Sequence, residues 1–396
     1  MTRVATALAA CAAMLALGAP AQAQSVSVRD YGALSDGRMV HEYTLSSGDG
    51  MDVRVLDYGG IVTAVLVPDR DGRRDNVVLA LPDIAAIEAR PNFSAIIGRY
   101  AGRLSGHGVT IDGKFHALDT NDAGIITHGG KGGFGAQLWQ ARETPMPRRA
   151  ALTLTLVSPD GDNGFPGTMT TQVTFSVGRD HVLRLDYRAT TTAPTVVNLT
   201  HHAFFNLAGA GEEGVDRQWI HVAASRYTPL GDHSLPTGAI ATLDDMPLDL
   251  RGWTRLGAVM RSPWPGIVAM RGLDHYWVLD GWGGDGRSVA PQACLYDPGS
   301  GRLLAVRTSE PGMQLYTGNG FDGMREAMAG DGRRYFLRQG DGIALETQHF
   351  PDSPAHPQFP STVLRPGAAM TSTTSFRFAA LKDPEDGPPP AGACGG

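Results

Sequence analysis

Apolar and polar residues alternate along most of this chain. Met51, Val53 and Val55 alternate with Asp52 and Arg54, and Leu152, Leu154 and Leu156 with Thr153 and Thr155. Val173, Phe175 and Val177 repeat the period, as do Leu183, Leu185 and Tyr187, and Ser372 to Phe378 extends it near the end. A period of two places successive side chains on opposite faces of a strand. Asp112-Gly113 between the extended runs of Val109 to Phe115 predicts a type I′ hairpin. Helical periodicity is scarce. Asp83 to Ala89 predicts one short helix, with Asp83 as its N-cap and Pro91 beyond its end. Short strands punctuated by Gly and Pro, with few helices, predict an all-β fold: a large antiparallel β-sandwich.

Two predicted strands carry residues unsuited to a core. In Gly340 to Asp352, Ile343, Leu345 and Thr347 share one face and Ala344, Glu346 and Gln348 the other. Glu346 has no cation beside it in sequence, which makes it a candidate general base; a solvated strand face is the competing reading. Thr195 to Leu207 reads as a second strand. Val197, Leu199, Ala203, Phe205 and Leu207 share a face with His201, and Asn198, Thr200, His202, Phe204 and Asn206 form the other. Hydrogen-bonding groups beside an aromatic ring suit a polyhydroxylated ligand. His202 titrates near neutrality and is a candidate proton donor. His128 ends an apolar run before Gly129 and Gly130, where the backbone is free to approach a ligand. Asp274 stands at the mouth of a strong strand, placed to grip two vicinal hydroxyls.

Composition bounds the rest. The formal net charge is −6 and no Lys/Arg cluster appears, so nucleic acid is not an expected partner. Arg3, the apolar run Val4 to Leu17 and Ala21-Gln-Ala23 have the form of a secretory signal over residues 1–23. Its removal predicts an exported, periplasmic or extracellular protein with no stable membrane association. Residues 24–380 are expected to form one domain, and the Pro- and Gly-rich residues 381–396 a disordered tail. Cys294 and Cys394 are too few for a disulfide framework, and whether they pair is left open. No metal is expected, because the His spacings fit no ligand motif and adjacent His201 and His202 should face opposite ways. There is no nucleophile elbow, P-loop or dinucleotide fingerprint.

Seven stretches in order resemble the aldose 1-epimerase (galactose mutarotase) family: Ile97-Gly-Arg-Tyr-Ala-Gly-Arg-Leu104, Thr127-His-Gly-Gly130, Ser158-Pro-Asp-Gly-Asp-Asn-Gly-Phe-Pro-Gly167, Asn198-Leu-Thr-His-His-Ala-Phe-Phe-Asn-Leu207, Gly272-Leu-Asp-His275, Pro311-Gly-Met-Gln-Leu-Tyr-Thr-Gly-Asn319 and Leu345-Glu-Thr-Gln348. The resemblance runs from about Tyr31 to Phe378. It implies a galactose mutarotase-like supersandwich with a concave sugar site and no cofactor, acting on free monosaccharides such as glucose or galactose. By matched position it implies Glu346 as base, His202 as acid, and Arg103, His128, Asp274 and Gln314 as substrate contacts. Glu346 is then expected ionised and His202 protonated in the productive form. Two positions depart from the family pattern. Gly102 stands where Asn is usual, removing one side-chain amide, and His201 stands where Asn is usual, on the face turned from the ligand. A secreted carbohydrate-binding protein or a glycoside-cleaving enzyme on the same fold are the alternatives.

Overall fold

The computed structural model describes residues 23–282, 290–382, 387–390 and 392–395. Residues 1–22, nearly all of the expected signal, lie outside these. Among the described residues the strands form three larger antiparallel sheets and several two-stranded ladders. The nine-stranded sheet is centred on Met370–Ala380, which lies between Val182–Thr191 and Arg302–Thr308. A six-stranded sheet runs Phe204–Phe205, Ile343–Gln348, Gly312–Tyr316, Asp274–Leu279, Ala224–Thr228, Ala241–Thr242. A five-stranded meander, Ser25–Ala33 to Arg74–Asn76, completes the set. Helices are short, as expected: Asp83 caps Ile84–Glu88, its side chain accepting from the Ala86 N–H. The hairpin also forms, Gly108–Ile111 against Lys114–Ala117, with Asp112 and Gly113 both at positive φ as a type I′ turn requires.

The alternating apolar faces meet in one core. Leu152, Leu154, Phe175 and Leu185 of the nine-stranded sheet pack with Val53 and Val65 of the meander and with Ile343, Leu345 and Met313 of the six-stranded sheet. The Phe205 ring packs tilted against Phe376 across the layers, 5.1 Å between centroids. Thr347, the third core-facing residue of its strand, bonds Thr374 Oγ1 of the opposing sheet at 2.5 Å. The faces read for Ile343–Gln348 are therefore the observed ones, and the strand is interior to its sheet.

The expected single strand Thr195 to Leu207 is instead three two-residue pieces. Thr195–Val196 pairs with Val363–Leu364, Thr200–His201 with Ile96–Ile97, and Phe204–Phe205 with Ile343–Gln348. Each piece satisfies its backbone with a different neighbour, which alternation along one segment cannot reveal. The apolar face survives: Val197, Leu199, Ala203, Phe205 and Leu207 all enter the main core. The polar face is not one ligand surface. Asn198 bonds the backbone of Ala101 and His349, and Asn206 bonds Glu213, Asp341 and Gln218. Both fasten protein to protein. At the far end, Cys394 is disulfide-bonded to Cys294.

Candidate active site

The six residues singled out in the sequence, Arg103, His128, His202, Asp274, Gln314 and Glu346, line one cavity of about 290 Å³. Three antiparallel registers bring them there. Glu346 lies directly opposite Gln314, and Tyr276, two residues beyond Asp274 on the same face, lies opposite Gln314 from the other side. The short ladder Ile126–Thr127 against Arg103–Leu104 pairs Thr127 with Arg103 and so delivers Arg103 and His128 together. His202 enters between Thr200–His201 and Phe204–Phe205, its backbone N–H donating to Ala95.

His128 sits at φ 53°, turning the chain out of its strand. The glycines that follow serve the protein, not a ligand's approach. A Cβ on Gly129 would lie 2.0 Å from the Gly98 carbonyl oxygen, and one on Gly130 2.8 Å from Asn163 Oδ1. The Asn163 loop is held in turn by Arg99. Its buried guanidinium donates to Ser158 Oγ and to the carbonyls of Ser158, Pro159, Pro166 and Gly167. Two of the sequence stretches, 97–104 and 158–167, are thus a cradle under the His128 turn.

At the centre, His202 Nε2 lies 3.4 Å from Glu346 Oε1. The His202 ring packs against Phe204 at 4.9 Å and meets Tyr316 and His128 edgewise at 6.0 and 5.5 Å. Gln314 Nε2 donates to Asp274 Oδ1 at 2.7 Å, and Arg103 Nη2 lies 3.8 Å from Asp274 Oδ2. Burial dominates the titration of the central pair. It pushes the Glu346 carboxyl up to about 8, helped by the charge of Asp274 and opposed by Arg103. It pushes the His202 imidazole down to about 4, against a bond to its own backbone and the charge of Asp274. His128 is held well below the usual imidazole range by burial, then by His202 and Arg103. Desolvation thus favours the proton on Glu346, the reverse of the expected ionised base and protonated acid. Either way the contacting pair carries one proton over the neutral range. His201 points away as expected: Nε2 contacts the Gly60 carbonyl oxygen at 3.1 Å and the ring meets Phe175 edgewise.

Alternation alone reaches some of what the candidate list lacks. Tyr316 and Gln348, each two residues past a candidate, also line the cavity. Leu230 and Ser234 do so from a loop held by contacts of His356 with Pro236 O and of Gln358 with Gly238 O, and no local pattern marks them. Among the described residues no group of three or more His, Cys, Asp or Glu could hold a metal ion.

The sequence pattern shared by the family described as aldose 1-epimerase matches residues 41–377. The chain belongs to the aldose 1-epimerase family. It is 35% identical over 356 residues to galactose mutarotase of Rattus norvegicus, covering 89% of this chain and 98% of that protein. It is 30% identical to aldose 1-epimerase of Escherichia coli (strain K12), over 87% of this chain and 97% of the other. The fold superposes on the crystal structure of galactose 1-epimerase from Lactobacillus acidophilus NCFM with a TM-score of 0.78 and 26% identity, covering 90% of this chain and 99% of that one. Members of this family are isomerases, and the fold is galactose mutarotase-like.

Proposed function

We propose that this aldose 1-epimerase interconverts the α and β anomers of free aldohexoses such as glucose or galactose, with the Glu346–His202 pair moving the protons. The observation that carries the reading is their 3.4 Å contact in a cavity that also presents Arg103, Asp274 and Gln314. A bound sugar supplies what desolvation withholds. Its anomeric hydroxyl donates a hydrogen bond to Glu346, which favours the carboxylate and shifts the shared proton to His202. Glu346 then takes the O1 proton while His202 protonates the ring oxygen. The C1–O5 bond opens to the aldehyde, C1–C2 rotation presents the other carbonyl face, and the reverse transfers close the ring. The two side chains end as they began. Asp274 and Arg103 are suited to ring hydroxyls, one accepting and the other donating. The form of residues 1–23 supports a further reading, that the protein acts on free sugars outside the cytoplasm.

Polarimetry on freshly dissolved glucose, galactose, xylose and arabinose tests the activity and ranks the sugars. Glu346→Gln should slow equilibration by about 10²- to 10⁴-fold. A variant with near-wild-type turnover would remove Glu346 from the role of base.

A further inference from the structure

Gln348 has no part in the proton transfers, yet its setting is that of a ligand. It follows Glu346 by two residues on the same face, so its side chain enters the cavity about 7 Å further along the strand. It is 1% exposed, and its Oε1 has no hydrogen-bond partner among the described residues. Such an orphaned buried acceptor destabilises the fold unless a ligand fills it. The backbone beneath it is fixed. Gly312 pairs with Gln348, Tyr276 OH donates to its carbonyl at 3.0 Å, and Asn198 bonds both backbone groups of the next residue. Opposite the amide the wall is bare. Gly102 lines the cavity at φ 77°, and a Cβ there would lie 3.7 Å from Gln348 Nε2 and 3.2 Å from Pro351 Cβ.

Resting on the aldose reading above, we propose that the Gln348 amide is a hydroxyl-selecting ligand of the sugar, in a subsite walled by Gly102 and Pro351. An amide both accepts and donates, and so matches a hydroxyl that does both. With the anomeric oxygen at Glu346, a group about 7 Å along the strand meets the far side of a pyranose ring. The selected hydroxyl is therefore on C3 or C4, not on C2.

The test is polarimetric kinetics of glucose and its 2-, 3- and 4-deoxy analogues with the wild-type protein, Gln348→Ala and Gln348→Met. The Met variant keeps the side-chain volume and, since Oε1 bonds no group among the described residues, should unfold at or above the wild-type temperature. The wild type should show a KM raised about 3- to 10-fold for the 3- or 4-deoxy sugar. Gln348→Met should raise KM for glucose by a similar factor, keep kcat within about twofold, and lose that discrimination while treating the 2-deoxy sugar as before. Retained discrimination in Gln348→Met, or a fall in kcat with KM unchanged, overturns the subsite and leaves the epimerase reading standing. A wild-type protein that speeds equilibration of none of these sugars overturns the activity itself, and the subsite with it.

Discussion

A carboxyl and an imidazole 3.4 Å apart, both largely buried, titrate together. Burial sets its limits, near 4 where His202 would gain a second proton and near 8 where Glu346 would lose the only one. Ring opening needs one proton on the pair, to be given to O5 as another is taken from O1. Activity should therefore follow a bell in kcat/KM, with limbs near pH 4 and pH 8 in the free enzyme. Rates measured from pH 3.5 to 9 check this; a single inflection near 6.5 would mean that His202 titrates as an ordinary solvated histidine. His202→Asn removes the proton carrier but leaves Arg103, Asp274 and Gln314 in place. It should lower kcat by about 10²-fold or more while KM moves little. A variant changed only in KM would show His202 to be a binding residue.

At the scale of elements, short pieces of backbone matter more than long strands. Arg103 and His128 meet through a two-residue ladder, and His202 hangs between two others. This explains what was legible. Ile343–Gln348 obeys a strict period of two within a sheet, so Glu346 and its core-facing neighbours could be placed from local pattern alone. Thr195 to Leu207 has the same alternation, but its pairing partners lie 100 or more residues away, and only they show that it is broken. The purpose of Gly129 was hidden for the same reason: its neighbour is the carbonyl of Gly98, distant in sequence. The assignments of Arg103 and Gln314 came from family resemblance, since neither has a local signal. Gly129 and Gly132 give a matched comparison of turn and site. Both have positive φ, yet around Gly132 the nearest atom to an added Cβ is Gln137 Nε2 at 3.9 Å. Gly132→Ala should cost only the left-handed penalty, about 1–2 kcal/mol, with activity kept. Gly129→Ala must displace the Gly98 backbone or the His128 turn, and should cost more than its partner and at least tenfold in kcat/KM. Thermal melts with polarimetry separate the two; equal losses of activity would mean that the cradle does not position His128.

For the whole molecule, the site weakens the fold in a defined pH window. Unfolding returns Glu346 from about 8 to its usual 4.5 and His202 from about 4 to 6.5. Between about pH 4.5 and 6.5 both states hold one proton on the pair: the unfolded chain on His202, the folded one on Glu346. Stability does not change with pH there on their account. Between 6.5 and 8 the unfolded pair holds none and the folded pair still holds one. The folded state binds more protons, so stability falls as pH rises, by roughly 2 kcal/mol over that interval. His349 adds to the same slope. Its Nδ1 lies 2.5 Å from Glu310 Oε2, and that carboxylate raises its pKa despite burial. A raised histidine stabilises fully below its unfolded value and loses this as pH climbs through its folded one. Glu346→Gln abolishes the first contribution and leaves the second, whereas His349→Asn does the reverse. Chemical denaturation at pH 6.5 and 8 should therefore show Glu346→Gln falling less than wild type by about 2 kcal/mol, and being the more stable protein at pH 8. Parallel falls in the two proteins would mean that water reaches Glu346 freely in the folded state, and that its carboxyl is not held protonated by burial.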